Sequence, residues 1–90
     1  MRLVWSPRAL NGLRRVADRA PGQAAAVVEA MEWMADLDVS LGRHVPSSSD
    51  LYWPVPPQGV FYRISEDGRD LVVVAIRDAR RRRRPWTTGG

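Results

Sequence analysis

The sequence predicts an α+β domain in the order β-α-α-β-β-β, a helical hairpin packed on a small, mainly antiparallel sheet. Three observations lead there. Ser6-Pro7 marks a helix start directly after the short run Arg2–Trp5. Apolar residues recur every three or four positions from Ala24 to Leu37. Two β-rich runs, Val60–Ser65 and Leu71–Arg77, flank an Asp67-Gly68 turn signal.

Residues 2–5, RLVW, read as a short strand. In the helix that follows, Ser6 can cap free amide groups and Pro7 is pre-shaped for the first helical position. Leu10, Leu13, Val16 or Ala17, and Ala20 share one face, while Asn11 and Gly12 weaken the helix from within. Pro21-Gly22 is expected to end it and turn the chain. The second helix, from Gln23 to about Leu37, carries Ala24, Val27, Val28, Met31, Met34 and Leu37 on one stripe. Ala26, Ala30 and Trp33 lie on its flank. A helix this apolar is either covered on two sides or offers a surface to a partner. The two helices would form an antiparallel hairpin.

Residues 40–50, SLGRHVPSSSD, read as a loop. Leu51–Val55 reads as a strand in which Pro54 implies an edge or a bulge. Pro56-Pro57-Gln58-Gly59 reads as a turn. In the last hairpin a two-residue turn sets Ile64 opposite Leu71, Tyr62 opposite Val73 and Phe61 opposite Val74. That pairing puts large apolar residues on both sheet faces. Residues 1–81 are read as a single domain and residues 82–90 as a basic C-terminal tail.

Composition removes several function classes. A hydrophobic fraction of 44% argues against wholesale disorder. There is no cysteine, so no disulfide or thiolate metal site can form. His44 is the only histidine, which leaves a zinc site or a serine–histidine relay poorly supplied. Ser47-Ser48-Ser49 has no paired base, so a serine nucleophile is rejected. No apolar run is long enough to span a bilayer and no signal peptide opens the chain, so a soluble, cytoplasmic protein with no membrane partner is expected. All 14 basic residues are arginine, and six lie between Arg77 and Arg84. A cationic patch so localised attracts a polyanion or an acidic protein.

The stretches RLVWSPRALNGLRRV, GRHVPSSSDLYWPV and GVFYRISEDGRDLVVVAIRDARR resemble the first strand and helix, the approach to the second strand, and the signature hairpin of the RelE/ParE superfamily of bacterial type II toxins. The resemblance covers roughly residues 2–84. It implies a RelE/ParE-like fold and a cognate antitoxin. It further implies a toxin that inhibits translation by ribosome-dependent mRNA cleavage, needing neither metal nor cofactor. Two other outcomes stay open: a DNA gyrase inhibitor without nuclease activity, or an inactive member that binds only antitoxin and operator DNA.

On the nuclease reading the resemblance implies catalytic roles for Arg63, Arg81 and Asp78, and RNA contacts from Arg77, Arg80, Arg81 and Trp86. Arginine suits phosphate because its planar fork binds bidentately, and an aromatic ring stacks on a splayed base. Two positions depart from the family pattern. Gly59 stands where ribonuclease members usually carry an arginine, with Arg63 four residues on and on the same face of a regular strand. Asp78 stands where many members carry a histidine, and would act as a base only with a raised pKa that neighbouring arginines oppose. Tyr52 and Trp53 are either core or RNA-facing.

Overall fold

The computed structural model describes residues 1–79; residues 80–90 lie outside it. The element order is β1 (Arg2–Trp5), α1 (Pro7–Arg19), α2 (Pro21–Asp36), β2 (Arg43–His44), β3 (Leu51–Val55), β4 (Gln58–Ile64) and β5 (Asp70–Asp78). The strands make one sheet in the order β1-β5-β4-β3-β2. β1 runs parallel to β5 and every other pair is antiparallel. The architecture is the α+β arrangement expected, with the two-residue strand β2 added inside the segment read as a loop. Two paired residues leave no periodicity in a sequence, so β2 had no signal to give. Among the described residues no helix is long and apolar enough to cross a membrane.

The Ser6-Pro7 start forms as its chemistry dictates. The Ser6 Oγ accepts from the Ala9 amide at 3.1 Å and donates to the Val74 carbonyl at 2.9 Å. One hydroxyl thus caps α1 and ties it to β5. Ser6→Ala removes both bonds, and we expect it to cost about 1–2 kcal/mol, read as a shift in the urea midpoint at unchanged slope.

The buried face of α1 differs from the expected one by a residue. Ala9 and Val16 are buried, whereas Leu10 is exposed. Gly12 also faces β5, where a Cβ would lie in ordinary contact, 3.5 Å from the Ile76 carbonyl oxygen and 3.6 Å from Ile76 Cβ. Ala9 and Val16 therefore lie on the face of α1 turned to the sheet, with Leu10 beside it. Pro21-Gly22 is also not a turn. Pro21 opens α2, and Ala20 alone separates the helices, with φ −149° and ψ 78°. Proline disfavours helical geometry in the residue before it, so Pro21 itself breaks α1 one position earlier than expected.

α2 presents Ala24, Val27, Met31 and Met34 of its predicted stripe to the core, joined by Ala35, which the stripe did not include; Val28 is half-buried and Leu37 is exposed at the helix end. Against them pack Leu51, Val60, Tyr62, Leu71 and Val73 from the sheet. Leu37 and Trp33 are each 52% exposed and one turn apart, followed by exposed Val39 and Leu41. α2 therefore has an uncovered apolar ridge on its outer side.

The hairpin register is right at its closed end and slips further out. Ile64 pairs with Leu71 and Tyr62 with Val73, but Phe61 pairs with Ala75 and not with Val74. Val74 is the extra residue of a β-bulge, which reverses the facing of β5 beyond it. The turn spans more than two residues: Gly68, with φ +74°, donates its amide to the Ser65 carbonyl at 2.9 Å. The Asp67 carboxylate accepts from Ser65 Oγ and the Arg69 amide, which together hold its pKa below the usual value. Gln58 and Gly59, expected in a turn, already belong to β4 and pair with Val55 and Pro54 across Pro56-Pro57. Pro54 does lie on an edge, because β2 pairs only with Leu51 and Tyr52.

Candidate nucleic-acid interface

The helices cover one face of the sheet and leave the other open. Cross-strand pairing places Tyr52 opposite Phe61 and Gly59 opposite Arg77, and directly paired residues share a face. The Tyr52 and Phe61 rings meet at 5.1 Å between centroids, tilted by 59°. The Arg77 guanidinium carbon stands 5.8 Å from the Phe61 centroid, within cation–π range. Two half-exposed aromatic rings and an exposed cation thus form one cluster on the open face.

Gly59 is the residue that permits this cluster. A Cβ at position 59 would lie 2.5 Å from both Tyr52 Cε1 and Tyr52 Oη. The tyrosine ring therefore lies diagonally across the glycine, filling the space a larger side chain would take. At the position where the resemblance anticipates an arginine, this chain presents a tyrosine ring carried by the adjacent strand.

The candidate residues divide between the two sides of the sheet. Arg63 lies two positions from Phe61 on β4 and so on the open face, as alternation requires. It is engaged by Asp50, with Nε and Nη2 donating to Oδ1 at 3.0 and 2.8 Å. The arginine beside Gly59 is instead Arg77, its cross-strand partner. Asp78 pairs with Gln58, which is buried on the helix side and donates to Gln23 Oε1 at 3.2 Å. Asp78 also lines a cleft of about 570 Å³ with Gly12, Arg15, Asp18 and Arg19. Arg63 and Asp78 are therefore not brought together. His44 is opposite Leu51, away from the Tyr52 face. Arg80, Arg81 and Trp86 lie outside the described residues. Among the described residues no cluster of three or more His, Asp or Glu could hold a metal ion.

Sequence reasoning left Tyr52 undecided between core and surface and gave Phe61 no role. Their contact depends on the β3–β4 register, set by the Pro56-Pro57 turn. The signal available was Gly59 itself, a glycine inside a run of β-formers, which marks close approach as often as a turn.

No protein-family profile matches the chain, and no curated protein matches it by sequence. Solved structures do. A chain of the toxin–antitoxin complex RelBE2 from Mycobacterium tuberculosis superposes with a TM-score of 0.67 at 18% identity, covering 86% of this chain and 95% of that one. A YoeB/ParE toxin from Agrobacterium tumefaciens gives a TM-score of 0.68 at 15% identity, covering 87% of this chain and 98% of its own. At such identities the likeness is one of fold: the chain adopts the RelE/ParE-like toxin fold, two helices on a five-stranded mixed sheet.

Proposed function

We propose that this protein is the toxin of a type II toxin–antitoxin pair and arrests translation by engaging RNA on the open face of its sheet. The observation that carries the reading is the Tyr52–Phe61 ring pair with Arg77 at its rim. Rings stack on splayed bases whatever their identity, and arginine binds the adjoining phosphate. The mRNA-cleaving form of this reading needs a group that activates a 2′-hydroxyl. Asp78 faces the helices and His44 faces away, so among the described residues the ring cluster itself offers the Tyr52 hydroxyl beside Arg77. A cognate antitoxin fits the apolar ridge of Trp33, Leu37, Val39 and Leu41, which a binding partner would remove from water.

A gyrase-directed toxin is the second reading. The absence of an arginine side chain at Gly59 favours it, because inhibition by binding needs no cleavage chemistry.

The test is induced expression in a permissive bacterium, with pulse labelling of protein and DNA synthesis. Wild type is compared with Tyr52→Ala/Arg77→Ala. We expect protein synthesis to stop first and the variant to grow. Earlier arrest of DNA synthesis would transfer the case to gyrase, and growth of the wild type would remove the toxin reading altogether.

A further inference from the structure

We propose that the cleft between α1 and the edge of β5 beyond β1 is a second phosphate site, which receives the backbone of the RNA strand as it leaves the ring cluster. This inference rests on the RNA reading above. The cleft measures about 480 Å³ and is lined by Arg8, Asn11, Arg15 and Arg77 around the small residues Gly12 and Ala75. Among the described residues it contains three guanidinium-bearing side chains and no carboxylate.

Its existence follows from the topology. β1 ends at the Trp5–Val73 pair, so among the described residues no strand pairs with the rest of β5 on that side. The Ser6 hydrogen bond to Val74 swings the chain into α1, which then runs alongside that edge. Arg8 and Arg15 are seven residues apart, about two helical turns, so both project from the same side of α1. Gly12 lies between them against Ile76 and leaves the space open.

The charges are available for a ligand. Arg2 and Arg63 are ion-paired to Asp70 and Asp50. Arg8 and Arg15 are exposed and have no ion pair among the described residues. Placing unpaired guanidinium groups along one cleft raises the local potential, which only an anion relieves. Phosphate suits them best, because each planar fork can take two of its oxygens.

Arg77 joins the two sites. It lines this cleft and also stands over the Phe61 ring. A strand stacked on Tyr52 and Phe61 therefore passes Arg77 and meets Arg15 and Arg8 next. The neighbouring cleft mixes Arg15, Arg19 and Arg77 with the carboxylates of Asp18 and Asp78, whereas the described lining of this one carries arginine as its only charged residue type. That difference favours the Arg8 side for a polyanion.

The test compares single-stranded RNAs of 4 and 12 nucleotides, with binding to the full chain measured by fluorescence anisotropy across a salt series. The variant is Arg8→Gln/Arg15→Gln, and the control Arg14→Gln/Arg69→Gln removes the same charge from outside the cleft. Thermal melts check that both remain folded. We expect the variant to bind the tetramer as wild type does and the dodecamer roughly 10-fold more weakly. Its salt slope for the dodecamer should be smaller by about 1.4, the value for two lost contacts on single strands. Equal losses for both lengths, no loss for either, or the same loss in the control would each overturn the second site. Displacement of the dodecamer's added affinity by millimolar inorganic phosphate is expected for a phosphate site. Binding of inorganic phosphate that Arg8→Gln/Arg15→Gln abolishes, without any length dependence for RNA, would assign the cleft to a free phosphate and overturn the strand path. If wild type binds neither RNA, the RNA reading itself fails and the path with it.

Discussion

Gly42→Ala is expected to destabilise the domain by about 3 kcal/mol. The loop after α2 is latched to the core through one hydroxyl. Tyr62 is fully buried, and its Oη accepts the Gly42 amide at 2.8 Å and shares a hydrogen bond with Ser40 Oγ at 3.1 Å. A Cβ at position 42 would lie 2.6 Å from that oxygen, 2.8 Å from Tyr62 Cε1 and 2.8 Å from the Tyr52 carbonyl oxygen. None of these three can yield cheaply. The ring is fixed among Met31, Met34 and Val73, and the carbonyl belongs to the middle of β3. Overpacking and loss of the hydroxyl's partners therefore add. For a domain of this size the effect should appear as a fall in Tm on the order of 15 °C. Tyr62→Phe separates the two contributions, since it keeps the ring and removes only the hydroxyl, at about 1–2 kcal/mol. A Gly42→Ala cost no larger than that of Tyr62→Phe would show that the close approach contributes nothing.

The elements that could be read from the sequence are those whose cause is local. Ser6 and Pro7 carry their own capping chemistry, and the stripe from Ala24 to Met34 needs only helical periodicity. The Asp67-Gly68 signal located the hairpin and its first pairs correctly. The misreadings have non-local causes. Leu10 lies outside the core because the α1 face carrying Ala9 and Val16 is the one that docks on the sheet, a choice made by packing against strands more than fifty positions along the chain. The bulge at Val74 carries no residue type that distinguishes it from the valines beside it. Pro21 is the exception, since the restriction it places on Ala20 could have been applied from sequence. The candidate site divides in the same way. Arg77 is legible as a cation at the end of a strand. The ring cluster it joins is visible only once β3 and β4 are in register, because Gly59 resembles a turn residue until Tyr52 is seen lying across it.

That relation between Gly59 and Tyr52 yields the prediction with the largest expected effect on function. Tyr52→Ala should weaken single-stranded RNA binding by about 1–3 kcal/mol, or roughly 5- to 150-fold, if its ring stacks on one base. Tyr52→Phe should retain that affinity, because the π-face is unchanged. If the hydroxyl also takes part in strand cleavage, Tyr52→Phe would bind normally and fail to cut. Gly59→Ala offers a route to the same loss without altering the tyrosine. The new methyl would occupy the space now held by the ring edge, at 2.5 Å from Cε1 and Oη. Unlike the ring beside Gly42, this one is half-exposed and can swing outward. Gly59→Ala should therefore cost less stability than Gly42→Ala yet reduce RNA affinity almost as far as Tyr52→Ala. The double variant should bind no more weakly than Tyr52→Ala alone, because a ring that is absent cannot be displaced, and that non-additivity is the signature of direct contact. Additive losses in the double variant would mean that Gly59 acts on RNA independently of the ring. No loss in Gly59→Ala, with Tyr52→Ala impaired, would mean that stacking tolerates the swung ring and that the glycine notch serves packing alone.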